Sequence, residues 1–185
     1  VPMYTVEPDV ALVELTVVAN FAEVFLAGEG HDGLVGINYL EKIQMPNMIS
    51  IYGALLAGVD YIIMGAGIPR EIPGVIDCLS RGDAAQLKIS VDGEGEDVWM
   101  HFDPKAFDMG TESLKRPNFL AIISSVTLGM ALLKRATGEI NGFVVELPVA
   151  GGHNAPPRGK LQLDEGGEPI YGPRDEIDLE KIAAL

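Results

Sequence analysis

The chain has 185 residues, enough for one well-filled core and short for two. Acidic residues outnumber basic ones 27 to 13, and the resulting charge of −14 repels nucleic acid and anionic membranes. The single cysteine, Cys78, excludes an internal disulfide and fits a reducing, cytoplasmic setting, and with no run of about 18 uncharged apolar residues and no signal-peptide pattern, neither a transmembrane helix nor a secretory leader is expected.

In chain order, VPMYTV (1–6) reads as a strand. From Pro8, placed for a first helical turn, Ala11, Leu12, Leu15, Val18, Ala19, Ala22, Phe25 and Leu26 recur at helical spacing. GLVGINYL (33–40) is a short apolar run, and a helix follows over 47–57 with Met48, Ile51, Tyr52 and Leu55 on one face. DYIIMGAG (60–67) and AQLKISV (85–91) flank a third helix over 70–81. SVDGEGEDVWMHFDPKAF (90–107) sets an acidic, glycine-rich turn between two β-like runs, so a hairpin-like insertion is expected near 92–107. NFLAIISS (118–125), a helix over 125–137 and GFVVELPV (142–149) restore the rhythm. Residues 161–185 read as an acidic loop and the start of a helix capped by Asp175 or Asp178. Gly58, Gly82 and Gly138 each close a helix just before the next strand.

Short Ile/Val/Leu-rich runs alternating with helices predict a single α/β domain with a parallel sheet. About six strands are legible, whereas a closed TIM-type (β/α) barrel has eight in roughly 250 residues. The expectation is an incomplete barrel, the internal part of a longer protein. An open doubly wound sheet is the alternative, but GAGIPREIPG (65–74) lacks the spacing of a dinucleotide-binding turn.

In parallel β/α proteins the working face lies at the carboxyl ends of the strands. Those ends supply Asn38, Gly65-Ala66-Gly67, Ser124-Ser125, Glu146 and Ala150-Gly151-Gly152-His153. Gly151 and Gly152 lack Cβ atoms, so a flat ligand can approach their backbone. The His153 ring follows directly, and Pro156 and Pro157 stiffen the exit. This suits a planar cofactor with a small anionic or acidic substrate. A tight turn carrying a surface histidine is the plainer reading of the same residues.

Other residues read more simply. His31 beside Asp32 suits a helix terminus. His101 and Asp103 share a strand face, but three scattered histidines form no ligand cluster, so no metal is expected. Asp92, Glu94, Glu96 and Asp97 lack EF-hand spacing and read as a solvated turn. Cys78, Met45, Met48 and Met64 suit packing. Arg70 and Arg158 are candidates for an anion contact.

GFVVELPVAGGHNAPPRG resembles the AGGH segment of the nitronate monooxygenase (2-nitropropane dioxygenase) family. GLVGINYL, AGVDYIIMGAGIPREI and NFLAIISSVTLGMALLKRATGEINGFVVE resemble the preceding segments of that family, in the same order, over most of residues 30–160. The resemblance implies a TIM barrel holding FMN at its carboxyl rim and oxidising alkyl nitronates with O2 to a carbonyl compound and nitrite. It implies His153 as the catalytic residue, with Asn38, Ser124, Glu146, Ala150, Gly151 and Gly152 along the flavin. The chain departs from the family pattern at Val149, where an acid is common, and at Asn154–Gly159. An FMN-dependent enoyl-thioester reductase using NAD(P)H, and a non-catalytic barrel scaffold, are the competing functions.

Overall fold

The computed structural model describes residues 1–93, 95–106, 113–148, 150 and 155–185. The elements run α1 (Val10–Ala27), β1 (Gly36–Leu40), α2 (Gln44–Leu56), β2 (Tyr61–Gly65), α3 (Ile72–Ser80), β3 (Ala85–Ile89), β4 (Val98–Phe102), β5 (Asn118–Ile123), α4 (Val126–Arg135), β6 (Gly142–Val145) and α5 (Leu179–Ala183). Strands β1, β2, β5 and β6 form a parallel sheet in that order, and β3 and β4 form a separate antiparallel pair. The chain is therefore a mixed α/β protein.

Two strand expectations are corrected. Residues 1–6 form no strand; Tyr4 instead packs toward α1 and shares a hydrogen bond with Thr16. Residues 85–89 do not join the parallel sheet, so β2 pairs directly with β5. The reason is visible in β3 itself. Ala85, Leu87 and Ile89 are buried while Gln86 and Lys88 are exposed, and this one-sided alternation suits a hairpin better than a strand buried on both faces. The expected hairpin does form around the acidic turn, tied by Lys88 Nζ to Asp97 at 2.6 Å. Its apolar face packs on α2 and α3, with Phe102 edge-on to Tyr52 at 5.3 Å.

One face of the parallel sheet builds the core. Ile62, Met64, Phe119, Ala121 and Ile123 are at most 1% exposed and meet Met48, Ile51, Tyr52 and Leu55 of α2 and Ile76 and Leu79 of α3. Met48 and Met64 are thus core residues, with Met45 packed beside them. The opposite face carries Asn38, Leu40, Ile63, Leu120, Ile122 and Val144 and stays half-exposed or exposed.

Local chemistry explains the helix ends. The Asp9 carboxylate accepts the Leu12 N–H at 2.9 Å, so Asp9 caps α1 and Pro8 lies just outside it. His31 Nδ1 accepts the Gly33 N–H, leaving Nε2 to donate to Ala27 O at 2.7 Å, the helix-terminal role expected. Gly58 and Gly82 take positive φ at +76° and +73°. Gly138 does not; a Cβ there would meet Pro73 C at 2.7 Å, so it admits close approach of its loop to α3. Ser125 caps α4 and Asp178 caps α5. Although no membrane-spanning run was expected, α1 is long and apolar enough to cross a membrane by length and composition. It contains Glu14 and Glu23, and its Leu12, Val13, Val17 and Val24 are buried.

Candidate functional site

All four parallel strands deliver their carboxyl ends to one rim. There Ala66, between Gly65 and Gly67, holds φ at +54°. A non-glycine residue in that region carries strain, which concentrates at ligand sites. Among the described residues, two hollows open on this rim.

The first is small, about 30 Å³, and is lined by Ser124, Glu146, Arg158, Tyr171 and Asp175. Ser124 and Glu146 are brought together because β5 and β6 are neighbours; the ladder ends with Glu146 N–H donating to Ile123 O at 2.9 Å. The segment from Ala155 to Arg158 is held from three sides. Tyr171 Oη donates to Ala155 O at 3.0 Å, Arg158 N–H to Asp175 Oδ1 at 2.8 Å, and the Arg158 guanidinium to Ser124 O at 3.1 Å. Asp175 also accepts the Gly172 N–H at 2.8 Å. The amides of Gly172 and then Arg158 lower its pKa. Asp175 is therefore a loop clasp, and the helix cap falls to Asp178.

The second hollow, about 430 Å³, lies between the start of α2, the β2–α3 loop, β3 and α4. Glu41, Arg70, Glu71, Lys88 and Arg135 line it beside Ile68, Ile72, Leu87, Leu128 and Leu132. Burial, then the charge of Glu71, raises the Glu41 carboxyl above its usual range. Sequence reading passed over Glu41, although its place directly after a strand end was a usable signal. Arg70, considered there as an anion contact, is engaged with Glu71 at 3.2 Å.

Of the sequence-derived site residues, Ser124 and Glu146 share the first hollow, joined by Arg158. Ala150 is half-buried, with its N–H on Leu147 O at 2.9 Å. Asn38 is exposed on β1, in register with Ile63, and does not line that hollow. Gly151, Gly152 and His153 lie outside the described residues. Among the described residues no group of three or more His, Cys, Asp or Glu could hold a metal, and His101 is exposed on β4. Ser124, Glu146 and Arg158 offer a hydroxyl, a carboxylate and a guanidinium beside the apolar Leu147 and Ile177. No family model matches the chain, and no match emerges with a curated protein or a solved structure.

Proposed function

We propose that this chain belongs to an FMN-dependent enzyme that oxidises alkyl nitronates with O2 to a carbonyl compound and nitrite, its parallel strands forming part of a TIM-type barrel. The observation that carries the reading is the meeting of Arg158 with Ser124 and Glu146, which follow adjacent strand ends, with the AGGH-like segment starting at Ala150. Ser124 and Glu146 would bind polar atoms of the flavin, and Arg158 its phosphate. FMN would supply the electron-accepting ring. His153, entering directly after Gly152, would hold the nitronate oxygens by hydrogen bond or take the α-proton of a nitroalkane. Ala155 and Arg158, which follow that histidine in the sequence, are pinned by Tyr171 and Asp175.

The test is a visible spectrum of the purified protein followed by anaerobic titration with propionate 3-nitronate. A flavin spectrum that bleaches on each addition supports the proposal, and His153→Asn should abolish the response. A spectrum that ignores the nitronate but bleaches with NADPH selects the enoyl-thioester reductase. A protein that takes up no FMN refutes the proposal and supports the scaffold reading.

A further inference from the structure

We propose that the 430 Å³ cavity between α2, the β2–α3 loop, β3 and α4 binds an apolar α-amino acid, with its ammonium group at Glu41 and its carboxylate on Arg135. The cavity shares no lining residue with the Ser124–Glu146 hollow and is a separate site. Its size falls within the range of small-molecule sites.

The charges define the ligand. Lys88 is engaged by Asp97 and Arg70 by Glu71. The carboxylate of Glu41 and the guanidinium of Arg135 have no hydrogen-bond or ion-pair partner among the described residues, yet both line this cavity. A half-buried carboxylate beside a second acid gains from a bound cation, which offsets both its lost hydration and the repulsion from Glu71. Arg135 supplies the matching fork for a carboxylate. A simple anion would leave Glu41 without a partner, and a plain amine would leave Arg135 unused. The apolar wall of Ile68, Leu87, Leu128 and Leu132 then selects an aliphatic or aromatic side chain.

The walls are braced. Ser90 N–H donates to Gln44 Oε1 at 2.7 Å and Gln44 Nε2 donates to Ser90 O at 3.2 Å, fixing the hairpin against α2. Asn47, 3% exposed, donates through Nδ2 to Leu40 O and holds the strand end that carries Glu41. Glu41 lies over Gly67, where a Cβ would come within 2.7 Å of its Cδ. The strained Ala66 adjoins the same place.

The experiment is isothermal titration of the purified chain with L-leucine, L-methionine and L-phenylalanine. Isoamylamine and 4-methylpentanoate serve as probes lacking one charged group. The expected result is saturable one-to-one binding of at least one amino acid at about 1 mM or tighter, with both truncated probes about tenfold weaker. Glu41→Gln and Arg135→Gln should each weaken binding by about tenfold or more, while Ser124→Ala leaves it unchanged. No saturable binding of any of the three amino acids, or binding indifferent to both cavity variants, overturns the proposal. Should a variant fail to fold, the truncated probes on the wild-type chain decide. None of these outcomes bears on the flavin reading, whose test is spectral.

Discussion

Gly53 sits where α2 crosses α1, and Gly53→Ala tests how tightly the two helices are joined. An added Cβ would lie 2.4 Å from Val17 O, 3.1 Å from Val17 C and 3.0 Å from Asn20 Cβ. Two of those atoms are backbone, so relief requires the helices to separate. Overpacking of this kind costs about 1–3 kcal/mol. Replacing glycine by alanine inside a helix returns up to about 1 kcal/mol. The net expectation is a loss of about 1–2 kcal/mol, or a Tm lower by about 2–8 °C in a domain of this size. Gly129→Ala in α4 is the internal control. Its Cβ would meet Leu185 Cδ1 at 2.9 Å and Ile123 Cδ1 at 3.1 Å, both ends of flexible side chains that can turn aside. That variant should melt within about 2 °C of wild type. The assay is thermal denaturation followed by circular dichroism. If Gly53→Ala melts at or above wild type, the close α1–α2 crossing is wrong.

Further outcomes follow from single contacts. Arg116 donates to Asp77 Oδ1 at 2.6 Å, Asn141 Oδ1 at 3.0 Å, Glu139 O at 2.7 Å and Pro117 O at 2.9 Å, so Arg116→Lys, which loses the fork, should cost about 2 kcal/mol in urea denaturation. Phe119 is fully buried in β5, and Phe119→Ala should cost about 3–5 kcal/mol by the same measurement. Glu41 has its pKa raised by burial and by Glu71, so the folded chain holds that proton more tightly than the unfolded chain. Stability from this group is present below the ordinary value of 4.5 and is lost as pH rises through the folded value. Glu41→Gln should therefore be more stable than wild type at about pH 7, with the difference shrinking below 4.5; an unchanged difference across that window would count against the assignment. Asp175→Asn should release the clasp on Arg158 and Gly172, read as faster amide exchange at both positions.

Helical periodicity and glycine punctuation were enough to place α1 to α4, since both act within a few residues. Gly58 and Gly82 ended their helices as the pattern implied, while Gly138 proved to be a packing glycine because its nearest neighbour, α3, is remote in sequence. The acidic turn marked a hairpin, and the alternation of AQLKI was there to be read. The partner of that strand depended on which neighbour could cover its single apolar face, and this removed it from the parallel sheet.

The candidate sites divide in the same way. Ser124 and Glu146 were legible because strand ends share a rim in any parallel β/α array. Arg158 and Asp175 joined them only through the return of a loop, and Glu41, Glu71 and Arg135 meet only because three separate elements enclose one cavity. The sequence by itself determined the local elements, the α/β class and the strand-end candidates, because periodicity, caps and turns act at short range. Tertiary structure alone decided which strands pair, which sheet face is buried and which charges lack a partner, because those depend on residues brought together across the chain.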